Sequence, residues 1–140
     1  MRDNHLQRGS SLPETVIVMG VLLAMMFGII DFGRALYTYS FVAQAARQGA
    51  RWMIVRGSSC TVLDHCNAAS SDLQTYVQGL SIGATKASSI TATASWGTCT
   101  THAPGCTVTV TVSYPFTFML PYLPSTGITM SSSSTMVISN

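Results

Sequence analysis

The longest feature of the hydropathy pattern is an uninterrupted apolar run from Val16 to Ile30, closed by Asp31-Phe32-Gly33-Arg34. Beyond Arg34 the apolar positions thin out to helical spacing, and Leu36, Tyr39, Ala43, Ala46, Ala50, Met53 and Ile54 form one stripe. This predicts a single helix from about Leu12 to about Arg56, apolar all round in its first half and amphipathic in its second. Ser11 and Glu14 fit a capping box, in which the Ser side chain accepts an amide of the first turn and the Glu reaches back to the Ser amide. Pro13 falls in that turn, where amides have no intrahelical partner to lose. Gly57-Ser58-Ser59 is the expected stop, with Arg56 favourable in the last turn.

Ser71-Asp72-Leu73-Gln74 reads as a second helix start of the S-x-x-Q kind, with Leu73, Tyr76, Val77 and Leu80 on one face. From Ser89 the period changes to two. Ile90, Ala92, Ala94 and Trp96 alternate with Ser and Thr, and Val108, Val110, Val112 and Tyr114 alternate with Thr. Gly97 to Gly105 is the loop between these strands, and Pro115 is expected to end the second one. Phe116 to Leu123 reads as a segment packed between sheet and helix. Ile128 to Met130 and Met136 to Ile138 read as two short strands separated by the run Ser131 to Ser134. The fold class is α+β: a long helix against an antiparallel sheet of three or four strands.

The apolar run changes what the remaining composition means. With it spent on a membrane, about a hundred of 140 residues remain for one anchored domain with a modest core. Charged residues are only 9% and Ser and Thr supply the polar surface, which suits an exported chain. A net charge of +2, without basic clusters interleaved with aromatics, argues against nucleic acid as a partner. Arg2 and Arg8, with His5, outnumber Asp3 before the apolar run, so the N-terminus is expected in the cytoplasm. Arg34 on the far side opposes that bias and Asp31, at i, i+3, offsets it. No A-x-A-like site follows Ile30, so the run is expected to be retained. Residues 16–30 span only about 22 Å, so either Leu12 and the turn from Phe32 to Leu36 help to cross a core of about 30 Å or the membrane thins.

Cys60 with Cys66 and Cys99 with Cys106 pair most simply by proximity, although four cysteines allow three connectivities. The rival is zinc, with His65 beside Cys66 and His102 between Cys99 and Cys106. The cysteine spacings are looser than usual for zinc, and an exported chain meets an oxidising compartment, so no metal is expected. No C-x-x-C, G-x-S-x-G, H-E-x-x-H or phosphate loop is present and there are only five acids, so neither an enzyme nor a cofactor is expected. Tyr37 and Tyr39 fall where an interfacial aromatic belt belongs. Gly20, Gly28, Gly33 and Gly49 each cost about 1 kcal/mol relative to Ala in an exposed helix, which close packing would offset. Arg47 and Arg51 share a face at i, i+4 and repel unless answered by solvent, a neighbour's acid or a lipid phosphate.

The leader Arg8-Gly9, the small Ser10 and Glu14 five residues into a chain beginning at Ser10, followed by an apolar helix, resemble the class III signal of type IV pilins. Phe27-Gly28-Ile29-Ile30-Asp31-Phe32-Gly33-Arg34-Ala35-Leu36-Tyr37 and Ala45-Ala46-Arg47-Gln48-Gly49-Ala50-Arg51 are similar to the TadE family, the pseudopilins of Tad (Flp, type IVc) pilus systems. Thr15 and Gln48 depart from the pattern, where Phe and an acidic residue are usual. The resemblance implies a pilin-like fold divided into a leader (1–9), a transmembrane helix half (10–36) and an exported domain (37–140). It implies cleavage between Gly9 and Ser10 by a prepilin peptidase, and a register role for Glu14 against a neighbour's amine. Asp31, Gly33, Arg34, Arg47, Gly49 and Arg51 carry the family motif. The expected function is that of a minor or initiating pseudopilin in the bacterial inner membrane. Its partners would be other pilin subunits, the assembly platform and lipid. The alternatives are a main filament subunit, or an uncleaved anchored binding domain.

Overall fold

In the computed structural model, which describes residues 11–81, 85–97, 99, 102–119 and 127–139, the chain opens with a 44-residue helix, α1 (Ser11–Ile54). At 1.5 Å per residue it is about 66 Å long. Its two halves live in different surroundings. The first buried residue is Asp31, and from there Thr38, Val42, Ala45, Ala46, Gly49, Ala50 and Met53 recur at steps that keep one stripe inward. That stripe lies on a three-stranded antiparallel sheet of β1 (Thr91–Ser95), β2 (Thr107–Phe116) and β3 (Ile128–Val137), in the order β1-β2-β3. A second helix, α2 (Ser70–Gly79), lies along β1 and packs Leu73 and Val77 into the same core as Val108, Val110, Val112, Ile90 and Ile138. The fold is α+β: a long apolar N-terminal helix and a small antiparallel sheet.

Four local expectations are corrected. The serine run does not divide two strands, because residues 128–137 pair continuously with β2 from Ile128 opposite Phe116 to Val137 opposite Thr107. Residues directly opposite share a face, so Ser132 and Ser134 lie beside Val112 and Val110, on the side that receives α1. Serine brings only a small side chain to that face, where Val110 lies against Gly49 of the helix. Pro115 does not end β2, which runs on to Phe116. Since β1 reaches only as far as Ser113, the stretch carrying Pro115 has one strand neighbour and its missing N–H breaks no second ladder.

The second helix starts two residues earlier than the Ser71 box predicts and is capped differently. Ala69 is its N-cap, and the Asp72 carboxylate accepts the Ala69 amide at 2.9 Å. Ser71 is inside the first turn. Gln74 reaches across to the sheet edge, where Nε2 donates to the Ile90 carbonyl and Oε1 accepts the Ala92 amide, both at 2.5 Å. Ser70 Oγ does the same at longer range for Ala94. Helix α2 therefore closes the edge of β1, which would otherwise offer unpaired backbone groups. At the end of α1, Gly57 is not in the left-handed conformation expected of a glycine stop. Arg56 instead donates from Nη1 to the Trp52 carbonyl at 3.2 Å, and the Ser139 amide donates to the Ile54 carbonyl at 3.2 Å. Both satisfy carbonyls that the last turn leaves open. Gly97, Gly105 and Gly127 are left-handed, and at Gly127, φ 66°, a Cβ would also stand 2.6 Å from the Phe116 carbonyl oxygen.

Cys60 is bonded to Cys66 and Cys99 to Cys106. Each closes a short loop, contributing on the order of 2 kcal/mol by restricting the unfolded chain. The first fastens the connection from α1 to α2, and the second the connection from β1 to β2.

Candidate functional site

The candidate site is the surface of α1 itself. Between residues 16 and 30, twelve large apolar side chains are exposed, none less than 46%. Burying such a side chain is worth about 1.5–3 kcal/mol, so leaving twelve in water costs tens of kcal/mol and the surface requires an apolar partner. The helix is long and apolar enough to cross a membrane. Gly20, Ala24 and Gly28 repeat at i, i+4 and i+8 along this half, and among the described residues nothing beyond the adjacent helix backbone lies within 4 Å of a Cβ built at Gly20, Gly28 or Gly33. No described part of the domain packs on these glycines. Glu14 sits exposed in the first turn, where a negative charge complements the helix dipole, and has no ion-pair partner among the described residues. Gly9 and Ser10 lie outside the described residues, as does the side chain of Ser11.

At the point where α1 meets the sheet, Asp31 is 4% exposed. One carboxylate oxygen accepts Arg34 Nη1 at 2.8 Å and the other accepts the backbone amide of Met119 at 2.9 Å. The Arg34 guanidinium lies 5.4 Å from the centre of the Phe116 ring, which makes an edge contact with Phe118. The Thr38 hydroxyl donates to the Arg34 carbonyl at 2.9 Å and so bonds within the helix. This constellation ties α1 to the chain that leaves β2. An acid buried beside a long apolar segment is costly unless both its oxygens are used, as they are here.

Farther out, Gly49 faces the core. A Cβ there would lie 3.0 Å from Leu73 Cδ1 and 3.2 Å from Val110 Cγ1, so the helix touches both α2 and β2 through this residue. Arg47 and Arg51 are exposed on the opposite side, with no ion pair among the described residues. Arg56 lies 4.2 Å over the Trp52 ring, which stacks on Tyr76 at 5.1 Å. Asp64, His65 and Asp72 close a shallow cleft beside them, with His65 Nδ1 3.4 Å from Asp72. His102, the other histidine among the described residues, stacks on Trp96 at 3.7 Å. The four cysteine sulfurs are bonded to one another, so the zinc set considered for the sequence is not assembled.

The long-range partner of Asp31 was not legible in the sequence. Met119 lies 88 residues away and contributes a backbone amide, which carries no side-chain signal. The i, i+3 spacing to Arg34 was the visible half of the arrangement.

Residues 9–51 match the family model described as TadE-like protein. The match begins at Gly9 and covers α1 to within its last turn. No curated protein sequence and no solved structure gives a significant match.

Proposed function

We propose, with the TadE-like character of residues 9–51 as premise, that this protein is a membrane-anchored pseudopilin-type subunit of a Tad (type IVc) pilus, of the minor or initiating kind. The observation that carries the reading is the exposed apolar half of α1 headed by Glu14, which has no ion-pair partner among the described residues. In this reading the subunit is inserted with its N-terminus inside and processed by a prepilin peptidase between Gly9 and Ser10. Lateral association then transfers the apolar helix surface from lipid to neighbouring helices, with Gly20, Ala24 and Gly28 permitting close approach. The new amine of one subunit pairs with Glu14 of the next. In apolar surroundings an unpaired carboxylate is strongly disfavoured, so this pair fixes the axial step between subunits. Function is by geometry, and no catalytic step is involved.

The family motif divides into two tasks. Asp31, Arg34 and Gly49 hold the helix to its own domain, whereas Arg47 and Arg51 face outward. Arg47 is sixteen residues beyond Asp31, about 24 Å along the axis, past the reach of a headgroup layer some 5–8 Å thick. A neighbouring subunit's acid is therefore the better partner for it than a lipid phosphate. A main filament subunit is the second reading, favoured by the outer face of the sheet. There Thr91, Thr93, Thr109, Thr111, Ser131 and Ser133 form an uncharged hydroxyl surface suited to repeated packing. Abundance in sheared filaments separates the two.

The direct test is Glu14→Gln. The variant is expected to remain inserted in the membrane and to lose co-assembly with the other pilus subunits. Normal assembly would leave Glu14 as a helix cap and remove the register mechanism.

A further inference from the structure

The end of the sheet nearest the apolar helix half is itself apolar. Phe116 and Ile128 pair at the last rung of β2 and β3, and Ile128 is 53% exposed. Met119 follows three residues later and is 68% exposed, although its amide is held by Asp31. Phe32 and Leu36, on the helix at the same height, are also exposed. Asp31 and Arg34 at this level are paired with each other, so neither is a lone charge opposing approach to an apolar phase.

The height of this collar relative to a bilayer follows from the helix. A hydrocarbon core of about 30 Å takes about twenty helical residues, the distance from Leu12 to Asp31. Sliding the helix outward draws Glu14 deeper into the core. Sliding it inward immerses Asp31 and Arg34, which are neutralised as a pair. The burial of Glu14 opposes the outward slide, so Met119, one aspartate side chain and one hydrogen bond from α1, stands at or inside the outer boundary of the hydrocarbon.

The geometry points to a second membrane contact: Met119 and Ile128, with Phe32 and Leu36, form an apolar collar that rests in the outer leaflet. Asp31 acts as the positioning residue, fixing the end of β2 at that depth. The domain then sits on the bilayer with no linker, its height and tilt set by four side chains as well as by the helix. The occupant is lipid because the collar is continuous with the apolar surface of α1 and flanks it at one level. This inference rests on the membrane-anchoring reading of that helix.

The test uses the full chain in liposomes of phosphatidylcholine and phosphatidylglycerol, with benzoylphenylalanine incorporated singly in place of Leu23, Met119 or Ser133. After irradiation, lipid adducts are read by mass. Adducts at 23 and 119 with none at 133 are expected, and Asp31→Ala is expected to reduce the adduct at 119 and leave that at 23 unchanged. An adduct at 23 without one at 119 would overturn the collar while leaving the anchor intact. Absence of an adduct at 23 would overturn the anchor and the collar together. An adduct from 119 to protein alone would assign the surface to a subunit contact and overturn the lipid assignment.

Discussion

Replacing Gln74 by Leu separates two accounts of the same residue. If Gln74 belonged to a capping box with Ser71, its loss would weaken one helix end, and Ser71→Ala would cost as much, about 0.5–2 kcal/mol. In the structure the Gln74 amide serves two backbone groups of β1, the Ile90 carbonyl and the Ala92 amide. Both residues are almost fully buried, at 1% and 4% exposure. Leu matches Gln in bulk but bonds neither group. A buried backbone group left without a partner costs about 1–3 kcal/mol, so two of them at a sheet edge that water partly reaches give a loss of about 2–4 kcal/mol. For a domain of this size each kcal/mol moves the midpoint by roughly 4–8 °C, so a fall of about 10 °C or more is expected. The assay is thermal and urea unfolding of the full chain in detergent, followed by the fluorescence of Trp52 and Trp96. Ser71→Ala is expected to stay near wild type. A Gln74→Leu loss below about 0.5 kcal/mol, or a larger loss for Ser71→Ala, would refute the edge-bridging role.

Three further outcomes follow from the same packing. Asp31→Ala removes charge-assisted bonds to Arg34 and to the Met119 amide, and should destabilise the domain by about 1–3 kcal/mol in urea unfolding, the lower end applying because Arg34 is a third exposed. Gly49→Val places two methyl groups against Leu73 and Val110, and overpacking of that kind should cost about 1–3 kcal/mol in the same assay despite the better helix propensity of Val. Reversing both outward charges with Arg47→Glu and Arg51→Glu should leave unfolding within about 0.5 kcal/mol of wild type, since neither residue packs, while reducing cross-linking to other pilus subunits; an unchanged cross-linking pattern would return those residues to solvent.

How much of this was legible depended on whether the signal was local. The long helix and its change of character near Arg34 were written in a run of apolar residues and then a stripe. The strands β1 and β2 were written in strict alternation of Ala or Val with Thr. The middle of β3 was not, because Ser has neither the bulk nor the alternation that marks a strand. Its place is fixed by continuous pairing with β2, whose valines stand opposite the serines. Pro115 misled for a related reason: whether a missing N–H matters depends on how far β1 extends, which local sequence does not carry. Gln74 was noticed for the right helix and the wrong bond, since a cap and a bridge to a distant strand use the same amide. For the candidate site, Glu14, Asp31 and Arg34 stood out as charges beside an apolar run. The burial of Asp31 under the chain from β2 required the tertiary structure.

The measurement closest to the central proposal is the intact mass of the protein taken from its native membranes, before and after reduction. The proposal predicts a chain beginning at Ser10, lighter by two hydrogens for each of the two disulfides until reduced. A mass that retains residues 1–9, allowing only for removal of the initiator Met, would contradict processing and with it the pairing of Glu14 to a neighbour's new amine.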